Sequence, residues 1–239
     1  MLLHGGAQPS AETPQREVVI TAAHVETLTH LAIDGEADRA EQFVTAMIAS
    51  GAPLSQVFLQ LLAPAARLLG LLWEEDVYSF AQVTVGLWRL QQILHEQSRH
   101  SQGMNAEGRG HRLLLAHQPG SRHTFGVAML SEFFTRDGWQ VDYEPQCQWS
   151  DLNAAVSCGW YDVLGVSIGT DDSLVSIASA ILTLRTVSRN KRLIVMVGGP
   201  AAQSSADLAE RCGADCMALD ATAAISMANR WMESVARIG

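Results

Sequence analysis

The strand-like run Arg112-Leu-Leu-Leu-Ala-His117 leads almost directly into Ser121-Arg122-His123-Thr124-Phe125-Gly126. This order puts an imidazole on the loop between a strand and a helix. In open α/β sheets the loops at the carboxyl ends of strands are where ligands bind. An imidazole there can ligate a transition metal, and a glycine three residues later lets a large group approach the backbone. The pair suits a metal carried in a bulky planar cofactor. Three later loops also follow strand-like runs and consist of small residues: Ser167-Ile168-Gly169-Thr170, Gly198-Gly199-Pro200 and Asp220-Ala221-Thr222. Small residues at neighbouring strand tips describe a slot between the sheet and its first helix, suited to a rod-shaped group.

Taken alone, His123 would read as a helix-start hydrogen-bonding residue. The three small-residue loops at matching strand ends favour the metal ligand. His117, at the end of its strand, reads as structural. Glu74-Glu75-Asp76 reads as a solvated turn closing a helix, and Asp171-Asp172 as the cap of the next one. Ser167 lacks a nucleophile elbow and an assignable base, which excludes a hydrolase, and no GxGxxG follows the first strand, which speaks against NAD. No catalytic residue is expected and the chain does not read as an enzyme.

These loops need a scaffold, and the periodicity supplies one. Strands are expected near 112–117, 139–145, 162–169, 192–198 and 216–220, and helices near 123–136, 150–158, 172–188, 204–211 and 221–237. The third and fourth strands, Asp162–Gly169 and Arg192–Gly198, are apolar on both faces, as a sheet covered by helices on both sides requires. Residues 111–239 therefore read as a flavodoxin-like (Rossmann-like) α/β domain with a five-stranded parallel sheet. Ahead of it, apolar stripes at helical spacing within residues 17–100 predict a four-helix bundle, with Trp88 in its core or at its edge. Residues 1–16 read as a disordered tail, and 101–110, polar and with three glycines, as a linker.

Composition narrows the class. The net charge is −9 and Lys191 is the only lysine. A DNA-binding protein normally presents a basic face and a reading helix, and neither is visible. Direct DNA contact is not expected. No apolar stretch is expected to reach the length of a membrane span, no signal peptide is recognisable, and the four cysteines have neither disulfide-scaffold nor CxxC spacing. The expectation is a cytoplasmic protein with reduced thiols.

The segment 112–237 resembles the cobalamin-binding domain of methionine synthase, methylmalonyl-CoA mutase and CarH-type photoreceptors. That family carries Asp-x-His-x-x-Gly, then Ser-x-Leu, then Gly-Gly. The resemblance implies that His123 is the lower cobalt ligand and that the nucleotide tail of cobalamin (hydroxo-, methyl- or adenosyl-) lies in the slot. Ser121, Arg122, Thr124, Gly126, Ser167, Gly169, Thr170, Gly198, Gly199 and Asp220 are the expected cofactor-binding residues beside it. Two positions depart from the pattern. Ser121 replaces the motif Asp, so the imidazole loses a carboxylate partner that would strengthen its donation to the metal. Gly169 replaces the motif Leu, which widens the slot. Both favour ligand exchange or sensing over methyl transfer.

The helical half resembles the bundle that caps the upper face of cobalamin in the photoreceptors. Trp73 stands where they place a Trp over the upper ligand, but Val83-Thr84 replaces their Glu-His pair; His24, His30 and His95 are the other candidates, with nothing to select among them. The segment from Trp73 to Gln91, with Val83-Thr84-Val85-Gly86-Leu87, resembles the AerR/PpaA regulators of photosynthesis genes. That resemblance implies a cobalamin-binding, light-linked antirepressor acting on a repressor of the CrtJ/PpsR type. The rival reading is a corrinoid methyl carrier for a separate methyltransferase, and a third is an interaction module without a cofactor.

Overall fold

The computed structural model describes residues 18–34, 37–102, 110–121, 124–144, 147–170 and 174–236. The expected tail, residues 103–109 of the expected linker, and Asp171-Asp172 lie outside these. Two compact units divide between Gly86 and Leu87.

The first unit is helical. Helix α1 (Ala22–Asp34) packs on α2 (Ala37–Ala49) and on α3 (Leu54–Glu74), and α4 (Phe80–Gln102) begins here. Helix α3 supplies the largest share of the core: Val57, Phe58, Leu61, Leu62, Ala65 and Leu69 are all fully buried. It is also long and apolar enough, by length and composition, to cross a membrane, which corrects the expectation that no stretch reaches that length. One turn of α3, Phe58–Leu62, widens to π geometry, with the Ala63 N–H donating to the Phe58 carbonyl. Pro64 follows, and a proline inside a helix lacks an N–H and crowds the preceding turn, so the wider turn accommodates it. Gly86 on α4 sits in tight packing: a Cβ there would lie 3.1 Å from Leu69 Cδ1 and 3.2 Å from Ile33 Cγ1, so these side chains would have to give by a few tenths of an ångström.

The second unit is the α/β domain. Its sheet has the order β2-β1-β3-β4-β5, all parallel, from β1 (Arg112–His117), β2 (Gln140–Glu144), β3 (Val163–Ser167), β4 (Ile194–Gly198) and β5 (Cys216–Met217). The helices are α5 (Phe125–Arg136), α6 (Trp149–Cys158), α7 (Leu174–Val187), α8 (Pro200–Ser204), α9 (Leu208–Cys212) and α10 (Ala221–Ala236). Side chains alternate across a strand. Leu114, Ala116, Leu164, Val166, Val195 and Val197 accordingly pack with residues of α6, α7 and α9. Leu113, Leu115, Val163, Ile194 and Met196 pack with Val127 and Phe134 of α5 and with Ala224, Ala228 and Met232 of α10. This is the doubly wound order expected from the alternating periods.

Three details differ from expectation. The helix expected at 204–211 is two short ones: Pro200 starts a turn directly after Gly199, and Ser205 is extended (φ −131°, ψ 100°), which ends it. Helix α4 continues through Gln102, into the stretch expected to be linker. Trp88, expected in a core or at its edge, is 57% exposed, which excludes the core.

Candidate functional site

Strand register brings residues from three distant segments into one row. His117 is the pairing partner of Ser167, and Ser167 that of Gly198, so the last residues of β1, β3 and β4 lie side by side. By alternation all three belong to the face that packs on α5 and α10. The β1/β3 boundary is where the strand order reverses, the position at which doubly wound sheets bind ligands.

The loops beyond this row are tied by backbone. The Gln118 N–H donates to the Ser167 carbonyl (2.8 Å), the Ile168 N–H to the Gly198 carbonyl (2.8 Å) and the Ala201 N–H to the Ile168 carbonyl (3.0 Å). A Cβ on Gly198 would lie 2.9 Å from the Ala218 carbonyl oxygen. Gly199 has φ 91°, and a Cβ there would clash with Ser167 Oγ and lie 2.8 Å from the Ile168 carbonyl oxygen. The glycine pair thus admits neighbouring loops; it does not leave an opening. Gly126 is different: nothing among the described residues lies within 4 Å of where its Cβ would be, so they leave space at the first turn of α5.

Arg122 and His123 lie outside the described residues. On one side of them, the Ser121 N–H donates to the Gln118 carbonyl (2.9 Å), closing a turn through Gly120 at φ 84°. On the other, Thr124 stands at the start of α5, and its carbonyl accepts the Tyr143 hydroxyl at 3.3 Å. Burial, with a smaller effect from Cys147, pushes the Tyr143 hydroxyl up to about 12. Gly169 and Thr170 follow the fully buried Ile168, with Thr170 exposed. Asp220 is exposed and caps α10, its Oδ1 accepting the Ala223 N–H at 2.8 Å.

In the first unit Trp73 is 43% exposed and meets Phe80 edge-on at 6.1 Å; Leu71, Val77 and Phe80 are exposed as well. The three other histidines each have a partner. His24 Nδ1 is 3.1 Å from the Thr21 N–H, His30 Nδ1 is 3.0 Å from the Tyr78 hydroxyl, and His95 Nδ1 is 3.0 Å from Glu132 Oε1.

Two residues were not expected at the site. Tyr143 closes the start of α5. His117 is only 3% exposed, and its Nε2 has no hydrogen-bond partner among the described residues. The sequence signal for His117 was a single polar residue ending an otherwise apolar strand.

Together, the strand-end row offers small residues, hydroxyls, backbone and one buried imidazole, with space left by the described residues at Gly126. Among the described residues no three His, Cys, Asp or Glu side chains gather as a metal cage. This lining holds no cage for a bare metal ion, and the imidazole expected to meet a metal, His123, lies outside the described residues.

Comparison with known proteins agrees. Residues 111–228 match the model of a B12 binding domain, and residues 25–95 match a second B12 binding domain model. Over 179 residues the chain is 28% identical to an uncharacterized 20.5 kDa protein in the bchF-crtJ intergenic region of Rhodobacter capsulatus, covering 74% of this chain and 93% of that one. Its fold is that of the Methanosarcina barkeri monomethylamine corrinoid protein, at TM-score 0.69 and 14% identity over 89% of this chain and 98% of that one. With both of its units matched by B12-binding models and the strand-end row in place, the chain belongs to the B12-binding family and is a cobalamin-binding protein.

Proposed function

We propose that this protein is a light-linked transcriptional co-regulator, an antirepressor that acts in the cytoplasm on a partner repressor of the CrtJ/PpsR type. The observation that carries this reading is the relative in the bchF-crtJ intergenic region, matched over nearly its whole length. The net charge of −9 with one lysine supports action through another protein rather than on DNA.

In this reading His123 is the lower cobalt ligand. Ser121, Arg122, Thr124 and Gly126 shape its loop, while Ser167, Gly169, Thr170, Gly198, Gly199 and Asp220 form the surroundings of the nucleotide tail. Trp73 offers an aromatic face to the corrin from the helical region, residues 17–100. When bound, an alkylcobalamin supplies a cobalt–carbon bond that visible light breaks. The chain's own part is to hold one cofactor form better than another and to present a surface that depends on which is held. A ligand shifts such an equilibrium only by its differential affinity for the two arrangements. Ser121, with a hydroxyl in place of a carboxylate, supports an exchangeable hold on the metal.

The test is an absorption spectrum of the protein mixed with adenosyl-, methyl- or hydroxocobalamin, kept dark or illuminated, and desalted. A retained corrin spectrum that differs between dark and lit samples is expected, together with a cobalamin-dependent change in affinity for the repressor. Affinity that ignores cobalamin overturns the antirepressor reading. Retention that ignores light, with methyl transfer to a methyltransferase, would make the protein a corrinoid methyl carrier, which this fold accommodates.

A further inference from the structure

We infer that His117 is a binding residue for the nucleotide tail of cobalamin, its Nε2 accepting a hydrogen bond from a ribose hydroxyl. This rests on the cobalamin reading of the strand-end row.

Four other buried polar side chains are satisfied. Thr29 Oγ1 donates to the Val25 carbonyl, Ser188 Oγ to the Asn190 carbonyl, Asn190 Nδ2 to the Tyr161 carbonyl, and Ser205 Oγ to Asp207. His117 is equally buried, yet its Nε2 is without a partner among the described residues. Folded proteins rarely leave such an atom unpaired, and an exception calls for a partner from outside the described residues: a ligand group, an ordered water or an ion.

The chemistry of that group follows from the tautomer. His117 Nδ1 lies 3.3 Å from the Gln118 carbonyl oxygen. A carbonyl oxygen only accepts, so Nδ1 carries a proton, and in the neutral imidazole Nε2 then presents a bare lone pair. The missing partner is therefore a donor. The tail's phosphate has only acceptors, whereas the ribose carries hydroxyl donors.

Position agrees with size. His117 shares its row and its sheet face with Ser167 and Gly198, at the switch point between β1 and β3. Three adjacent strand tips span about 10 Å at the usual strand spacing. That suits a ribose and its base and is too narrow for a corrin with its side chains.

The experiment compares hydroxocobalamin with hydroxocobinamide, which keeps cobalt and corrin but lacks the nucleotide tail. Equilibrium binding of each is measured on the full chain for wild type, His117→Leu and His117→Gln. His117→Leu fills the volume without an acceptor, and is expected to weaken hydroxocobalamin about tenfold while leaving hydroxocobinamide unchanged. His117→Gln, whose amide oxygen accepts, is expected to recover most of the loss. The His117→Leu apoprotein should melt at or above wild type, because an unpaired buried acceptor has been removed. Equal weakening of both corrinoids, or of neither, overturns the inference while leaving the cobalamin site standing. A His117→Leu apoprotein that melts lower and binds both poorly assigns His117 a structural role and overturns it too. Wild type binding neither corrinoid would sink the site and the inference together.

Discussion

The two ends of the sheet are built on opposite principles. At the amino-terminal end polar side chains are paired densely. Arg112 forms an ion pair with Asp142 at 2.7 Å, and its guanidinium lies 4.8 Å from the Tyr161 ring centroid. The Tyr161 hydroxyl donates to the same carboxylate at 2.6 Å, and Asp162 accepts the Arg112 N–H at 2.8 Å and the Trp160 indole N–H at 3.2 Å. Asp215 accepts the Val195 N–H at 2.7 Å and pairs with Arg185 at 2.8 Å. At the carboxyl-terminal end the row is His117, Ser167 and Gly198, with one buried imidazole nitrogen unsatisfied among the described residues. One end is finished by the protein itself, and the other is short of a partner. The proposed reading puts stability in the first and ligand binding in the second, because a satisfied network rigidifies while an unsatisfied buried atom calls for an outside partner.

Substitutions at the two ends should therefore separate. The largest effect is expected at His123. His123→Ala should cost at least about 100-fold in cobalamin retention, since even indirect partners of metal ligands are worth about 10–100-fold. Desalting followed by a corrin spectrum reads it, and a mutant that retains cobalamin with an unchanged spectrum removes His123 as the ligand.

Asp215→Ala takes the acceptor from the Val195 N–H and removes one of the partners of the Arg185 guanidinium, which keeps the Leu193 and Gly213 carbonyls. It should lower stability by about 2 kcal/mol, the scale for hydrogen bonds to a charged group, with cobalamin affinity unchanged. Chemical denaturation and a binding isotherm on the same sample check both halves. A mutant that loses affinity in step with stability would erase the contrast between the ends.

Ser121→Asp restores a carboxylate beside the imidazole loop. It should tighten cobalamin retention by up to about tenfold and slow its exchange. A competition experiment with free imidazole measures this, and unchanged exchange would show that position 121 does not address the ligand.

The smallest effect is in pH. Burial, then the Asp142 carboxylate, raises the Tyr161 hydroxyl to about 12 from its usual value of 10. The folded state thus holds this proton more tightly than the unfolded chain. Its contribution is complete below pH 10 and is lost as pH rises from 10 to 12. Melting temperature should fall within that window, and Tyr161→Phe should shallow the fall there while costing about 1 kcal/mol at neutral pH. An identical alkaline profile in the mutant would assign the fall elsewhere.

Much of this was legible along the chain. The alternation of two-residue and helical periods placed all five strands, because buried parallel strands leave short apolar runs between polar helix faces. The loops with small residues stood out by type alone. The breaks were harder. Pro200 and Ser205 split one expected helix into two through backbone geometry that residue type only partly restricts. Trp88 lies at helical spacing with core residues yet is exposed, since periodicity marks an apolar stripe and not what covers it.

The amino-acid sequence by itself determined the α/β class, the order of elements and the Ser121-x-His123-x-x-Gly126 and Gly198-Gly199 loops, since these rest on residue type and short spacing. Only the tertiary structure decided that the two glycines are filled by the Ser167 and Ala218 loops, and that His117 stands beside Ser167. The physical reason is that strand register joins residues fifty positions apart, and a one-residue slip would have turned His117 to the opposite face of the sheet.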